Sequence, residues 1–410
     1  MTHTKKKKGI NRNLLKTDYL LKFSKFQKVL TFFSDSSQPL VYIGGGVSKS
    51  FSVNFLLQFS KFFQFPVTCT LMGKGSFNEK DQLSLGMVGM HGTPSANFAI
   101  SECDLLIAIG TRFDDRVTGK LEEFASEAEV VHIDIDPAEI SKNRCPQVSF
   151  LADAKKFFTH YNKYLRKFLA NEKFFQQTQT KNWLKRIAKW KKSYQPFSSI
   201  IDKKSSKIIA QKAIRFLGQV EKNAIFTTDV GQHQMWSAQE LNCQPNHWLS
   251  SSGLGTMGFG LPAAIGAKVS NPFRSVVCIT GDSSIQMTSQ ELATLFQYKF
   301  SFLIVIINNQ WQGMVRQWQE SFYSNRYSNS YMFLGNPSFV HLAKSYGIYS
   351  KKIQNLEEIS FLLKEQKRKN MSILVDIDVI DVENCYPMIA PGRSNSQMLG
   401  LEKIVEFYNG

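Results

Sequence analysis

The residues best suited to do chemistry lie in two short polar runs, Gly281-Asp282-Ser283-Ser284 and Asn308-Asn309. Magnesium takes oxygen ligands in near-octahedral geometry and usually pairs one or two protein oxygens with those of a phosphate. Asp282 offers a carboxylate oxygen, Asn309 an amide oxygen, and a backbone carbonyl just beyond, at Trp311, a third. Gly281 permits close approach of a phosphate, while the small Ser283 and Ser284 bring backbone N–H groups to a helix start, where anions are favoured. The bland alternative for Gly-Asp is a strand-to-helix turn with an Asp cap. Alone the pair is weak evidence, but joined to Asn-Asn at the end of the next strand it points to a site that holds a metal against a phosphate.

Two apolar runs, 275–280 and 302–307, end at these polar residues and are separated by the helix-like QELATLFQY. Both polar runs therefore belong at the carboxyl edge of parallel strands, where open α/β sheets bind ligands. Further strands are expected at 224–228 and 373–377, and in the first half of the chain at 40–43, 67–70, 104–109 and 130–134. Strands alternating with helical patterns predict an α/β protein of two tandem domains, each with a mainly parallel sheet flanked by helices. The expected division is a basic N-terminal segment at 1–37, a central domain at 38–154, a helical linker at 155–204 and a C-terminal domain at 205–410. The linker, KKFFTHYNKYLRKFL and then NWLKRIAKWKKSY, reads as a solvated helical connector, with a membrane-surface helix as the alternative.

Composition narrows the function class. The net charge of +17 comes from lysines scattered among phenylalanines, not gathered in one stripe, which argues against a nucleic-acid partner. No apolar run approaches the roughly 18 residues that cross a bilayer, so no membrane role is expected. Cysteines 69, 103, 145, 243, 278 and 385 form no CxxC and have no zinc-spaced histidine partner, which fits a reduced compartment. The start lacks the apolar core of a secretory signal. The excess of Lys, Phe, Ile and Asn suits an AT-rich organelle genome, giving a plastid stroma as the expected location and the cytoplasm otherwise.

With the motifs in view, GDSS…NN resembles the thiamine-diphosphate motif, and GDSSIQMTSQELATLFQY…NNQWQGMVRQWQESFY resembles the acetolactate synthase large-subunit family. The family usually carries Gly or Ala where Ser283 stands, so one extra hydroxyl enters the phosphate turn. The resemblance implies thiamine diphosphate and Mg2+ as cofactors. It assigns Val230, Gly231, Gln232 and His233 to the diphosphate, and Gly255 and Met257 to the aminopyrimidine side. Met287 would lie under the bent cofactor, with Gly313 and Met314 also at the cofactor; Asp282, Asn309 and Trp311 would hold the metal, and Trp318 would line the channel that selects the second keto acid. Seen alone, His233 reads as a capping or core histidine, and Met287, Met314 and Trp318 as core packing.

In the first half, the triple glycine Gly44-Gly45-Gly46 lacks nucleotide-fingerprint spacing and is poor evidence by itself. Together with Thr70-Leu71-Met72, GMVGMHGT around His91, GTRFDDR with Arg112 and Arg116, and HIDIDP with Asp134, it resembles the FAD-binding middle domain of the same family. Asp134 and Asp153 would accept hydrogen bonds from ribose or adenine, although either could cap a helix. The two arginines would meet a diphosphate, although with Asp114 and Asp115 they could form only a structural ion-pair cluster.

The resemblance implies decarboxylation of pyruvate and transfer of the two-carbon unit to a second 2-keto acid, pyruvate or 2-oxobutyrate, in valine, leucine and isoleucine biosynthesis. A homodimer or larger assembly and a regulatory small subunit are the implied protein partners. It covers roughly residues 38–410, and the family's preceding domain, which supplies a catalytic glutamate, has no counterpart here, so no residue is assigned that role. Enzymatic activity of the chain on its own is therefore left open. Three readings compete: a fragment of a longer enzyme, favoured by the abrupt lysine-rich start, a subunit completed by a partner, or a cofactor-binding remnant without catalysis. Within the enzymes, pyruvate oxidase or another carboligase is the alternative.

Overall fold

A computed structural model describes residues 23–169, 180–194 and 207–401. The lysine-rich start and the linker stretches 170–179 and 195–206 lie outside the described residues. Two six-stranded, all-parallel sheets organise the chain. The first contains β1 (Pro39–Ile43), β2 (Val67–Cys69), β3 (Ser84–Met87), β4 (Leu105–Ile109), β5 (Glu129–Asp134) and β6 (Val148–Leu151), in the order β3-β2-β1-β4-β5-β6. The second contains β7 (Ile225–Thr228), β8 (Trp248–Ser250), β9 (Val276–Gly281), β10 (Leu303–Asn308), β11 (Tyr349–Ile353) and β12 (Ile373–Asp378), in the order β11-β12-β10-β9-β7-β8.

Both faces of each sheet are covered, as parallel sheets require. On one face of the first sheet, Val41, Ile43, Ile107 and Ile109 meet phenylalanines from the helices Phe23–Asp35, Val53–Phe63 and Ala154–Leu169. Ring centroids of Phe26 and Phe150 stand 4.9 Å apart, and those of Phe33 and Phe63 5.2 Å apart. Such pairs add about 0.5–1.5 kcal/mol each beyond area burial. Part of the phenylalanine excess thus packs this core. On the other face, Tyr42, Leu106 and Ala108 meet Trp183 and Ile187 of the helix Lys181–Ser193.

Two expectations about the flanks of this domain are corrected. The helices at 154–169 and 181–193 are not a solvated connector: Phe157, Phe158, Tyr161, Trp183 and Ile187 are buried on opposite faces of the first sheet, and Trp183 Nε1 donates to the carbonyl of Pro39 at 3.0 Å. The segment before residue 38 likewise contributes the helix Phe23–Asp35, whose Phe26, Val29, Leu30 and Phe33 recur at helical spacing and are buried. In both places the lysines occupy the outer face of an amphipathic helix, which masks the inner face when charge is read along the chain.

After β12 the chain returns to the first domain. Ile389 N–H donates to the carbonyl of Met90 at 2.9 Å, Lys120 N–H to that of Arg393 at 3.0 Å, and Asn395 Nδ2 to that of Val117 at 2.9 Å. Among the described residues no helix is long and apolar enough to cross a membrane.

Candidate functional site

In the second sheet the chain steps from β7 outward to β8 and then crosses back to β9 on the other side, so the loops after β7 and β9 diverge and open a crevice at the carboxyl edge. Asp229, fully buried after β7, ties the loops around this crevice. Its carboxylate accepts from the N–H groups of Val230 at 3.0 Å, Gly258 at 2.7 Å and Gly260 at 3.4 Å, and from Thr280 Oγ1 at 3.3 Å.

Asp282 opens the short helix Asp282–Gln286 directly after β9 and is 2 % exposed. Burial pushes its carboxyl up to about 6, although Oδ2 accepts from Asn336 Nδ2 at 2.8 Å. β9 and β10 pair with Gly281 against Ile307, so Asp282 and Asn309 leave neighbouring strand ends. Asn309 Nδ2 donates to Gln232 Oε1 at 3.2 Å, and its Oδ1 accepts from Trp311 N–H at 3.2 Å. Both side chains line one cavity of about 790 Å³. A carboxylate, an amide oxygen and a carbonyl are hard donors of the kind Mg2+ takes, and such an ion draws its remaining oxygens from water and phosphate. Among the described residues no group of three His, Cys, Asp or Glu side chains is placed to hold a metal alone.

Several buried atoms of the cavity residues have no hydrogen-bond partner among the described residues, and Nε2 of His233 and Oγ of Ser283 are those beside Asp282. Unpaired polar atoms in a buried wall are costly unless a ligand or water meets them. The His233 ring packs against bare backbone: a Cβ on Gly281 would lie 2.9 Å from its Nδ1. Burial drives the His233 pKa down to about 3, so the ring is neutral near pH 7.

The first sheet repeats the device. Its order reverses between β1 and β4, and the glycines that follow these strands stand back to back. A Cβ on Gly44 would lie 2.1 Å from the carbonyl oxygen of Gly110, itself at a left-handed φ of 60°. Gly44, Gly45, Gly46, Thr70, Leu71, Met72, His91, Arg112, Arg116, Asp134 and Asp153 all line the same cavity as the second-domain residues. The bland alternatives are partly realised in place. Arg112 pairs with Asp114 at 2.6 Å in an exposed position, and Asp153 Oδ1 accepts from Lys155 N–H at 2.9 Å at the start of the helix Ala154–Leu169. Asp134 is buried, which raises its pKa, and accepts from Asp136 N–H at 2.9 Å.

From the second domain, Val230, Gly231, Gln232, His233, Gly255, Met257, Asp282, Ser283, Ser284, Asn309, Trp311, Gly313, Met314 and Trp318 all line the cavity. Met287 does not: it is 54 % exposed and sits outside the lining, against the turn at Gly258. The helix that carries Ser283 and Ser284 ends just before it.

Comparison with known proteins agrees with this architecture. Residues 26–160 match the family described as thiamine pyrophosphate enzyme, central domain, and residues 229–377 match thiamine pyrophosphate enzyme, C-terminal TPP binding domain. The chain belongs to the thiamine pyrophosphate enzyme family. Its relatives within the family include acetolactate synthase large subunits. It is 53% identical over 379 residues to the one from Cyanidium caldarium, covering 92% of this chain and 63% of the relative. It is 48% identical over 381 residues to that of Parasynechococcus marenigrum, covering 93% and 60%. With the isozyme 2 large subunit of Escherichia coli it shares 40% over 366 residues, covering 89% and 64%. The chain thus spans about three-fifths of the length of these relatives.

Some parts of this family member's site carry no signal in the sequence. Asn336, which holds the Asp282 carboxylate, is an unremarkable loop asparagine, and Lys49 and Ser251 in the cavity wall belong to no motif. Only the fold brings them in.

Proposed function

We propose that this chain supplies the cofactor-binding part of an acetolactate synthase, condensing a two-carbon unit from pyruvate with a second pyruvate or with 2-oxobutyrate in branched-chain amino acid biosynthesis. The observation that carries the reading is the meeting of Asp282 and Asn309 in one cavity, at the end of neighbouring strands, beside the unpaired Nε2 of His233 and Oγ of Ser283. Thiamine diphosphate, when bound, supplies the electron sink for decarboxylation. In this reading Asp282, Asn309 and the Trp311 carbonyl hold Mg2+. Ser283 would donate to the diphosphate, and the neutral His233 ring would donate to it from Nε2 in the tautomer that carries the proton there. Gly281 leaves room for close approach of the phosphate. The buried wall excludes water from the reacting centre, and Trp318 borders the channel for the second keto acid.

The first-domain wall suits FAD: Gly44 to Gly46 admit its backbone closely, Arg116 faces its diphosphate, and Asp134 and Asp153 offer acceptors to ribose hydroxyls. A regulatory small subunit fits the large-subunit names of the relatives, a homodimer or larger assembly belongs to the same reading, and a plastid location fits the Lys, Phe, Ile and Asn bias. Purified protein is tested for Mg2+-dependent binding of thiamine diphosphate and then, complemented with the domain that carries the catalytic glutamate, is supplied with pyruvate, thiamine diphosphate, Mg2+ and FAD and assayed for product. Acetolactate is expected, and Trp318→Leu should change the preference for 2-oxobutyrate over pyruvate in the active enzyme. Acetyl phosphate as the product would assign a pyruvate oxidase, and failure to bind thiamine diphosphate at all would reject the reading.

A further inference from the structure

Coordination of a cation by Asn309 requires its amide oxygen, and not its nitrogen, to face the metal. An isolated carboxamide can turn either end inward. In this fold a chain of buried side chains removes the choice, starting from backbone groups whose polarity is fixed. Cys385 N–H donates to Gln317 Oε1 at 2.8 Å, and Gln317 Nε2 donates to the Cys385 carbonyl at 3.0 Å. Gln317, 0% exposed, is thereby locked in one orientation. Its Oε1 also accepts from Gln232 Nε2 at 3.1 Å, and the same Nε2 donates to the Glu383 carbonyl at 3.0 Å. With its nitrogen committed, Gln232 can present only Oε1 to Asn309, which must answer with Nδ2, at 3.2 Å. Oδ1 is left on the opposite side, where it accepts from Trp311 N–H.

A second observation bears on the same contact. A Cβ at Gly313 would lie 2.0 Å from Gln232 Oε1 and 2.7 Å from Asn309 Nδ2, so the last link of the chain closes only beside a glycine.

We infer that Gln317, together with the segment Glu383–Cys385, is a positioning device that sets the polarity of the Asn309 carboxamide and so prepares the metal site from the far end of the chain. The inference rests on the metal site proposed above. It is tested by titrating Mg2+ into protein with thiamine diphosphate at fixed concentration and reading the half-saturating Mg2+ by calorimetry. Gln317→Met, which keeps the volume and removes both polar ends, should raise that concentration about tenfold, the usual effect of losing a group that orients a ligand. Gln317→Glu, protonated at this buried position so that its hydroxyl donates to the Cys385 carbonyl, keeps an oxygen facing Gln232 and Cys385 N–H and should stay within about twofold of wild type. In an Asn309→Asp background, where either oxygen serves the metal, Gln317→Met should cause no further loss.

A merely structural role for Gln317 predicts equal losses for the Met and Glu variants, and that result would overturn the device. Wild type that depends on Mg2+ while Gln317→Met leaves the half-point unchanged, or a tenfold loss in Gln317→Glu, overturns the device alone. Wild type without Mg2+ dependence overturns the metal site and the device with it.

Discussion

Asp282 carries a conflict that only a ligand resolves. Its carboxyl is raised from 3.8 to about 6 by burial, so the folded protein holds this proton to higher pH than the unfolded chain does. The sign follows from linkage: stability is unaffected by this group below about pH 4, falls as pH rises through the interval up to about 6, and stays lower above it. The shift corresponds to a penalty on the order of 3 kcal/mol near pH 7. Asp282→Asn should therefore raise the melting temperature of the cofactor-free protein at pH 7 and lose that advantage at pH 4, while weakening Mg2+-dependent binding of thiamine diphosphate. Thermal melts at both pH values, with and without cofactor, check this; a destabilised cofactor-free variant at pH 7 would contradict it. The residue types of the site were legible before the fold because magnesium and phosphate impose a narrow donor chemistry, and Asp282 and Asn309 end apolar runs.

At the scale of elements, the strands that the sequence reveals and those it hides divide by position in the sheet. All eight interior strands, β1, β2, β4, β5, β7, β9, β10 and β12, coincide with expected apolar runs. The four that were not anticipated, β3, β6, β8 and β11, are the four sheet edges. Their burial is interrupted, most of all in β11, where only Ser350 and Ile353 are buried, whereas β1, β4, β9 and β10 are buried throughout. An edge strand packs fewer neighbours and carries polar residues that discourage pairing with another chain, so it loses the apolar run that identifies it. The glycines at the first switch point belong to this scale too. Gly44→Ala would drive a methyl into the Gly110 carbonyl, and relieving the clash means separating the loops after β1 and β4. A loss of about 1–3 kcal/mol is expected, measured by denaturant unfolding, together with loss of FAD binding; unchanged stability would mean that the loops part freely.

Across the whole molecule, one cavity is shared by two domains, and its shape depends on how they are fastened. Lys74 crosses the seam. Nearly fully buried, its Nζ donates to Glu79 at 2.8 and 2.9 Å and to the Leu241 carbonyl at 2.7 Å, while Glu79 accepts from Cys243 N–H at 3.1 Å. Trp248 Nε1 adds a bond to the Leu71 carbonyl at 3.0 Å, holding the Thr70–Met72 loop against the second sheet. Removing one partner of a buried pair strands the other charge, so Lys74→Met should cost about 3–5 kcal/mol. A cost near zero in denaturant unfolding would show that the seam is held by other contacts. None of this was legible, because Lys74 is one lysine in a chain rich in them, and the Leu241 carbonyl and Cys243 N–H that its pair with Glu79 meets come from the other domain.

The metal site is the claim on which the functional account stands. Crystals grown with thiamine diphosphate and Mn2+ in place of Mg2+ allow the ion to be located by its anomalous scattering. The account predicts a single ion in the cavity, with Asp282 Oδ and Asn309 Oδ1 both at about 2.1 Å, a bond length typical of such hard cations, and with diphosphate oxygens completing its shell. An ion bound elsewhere, or the diphosphate bound with Asp282 and Asn309 both turned away from it, would contradict the account.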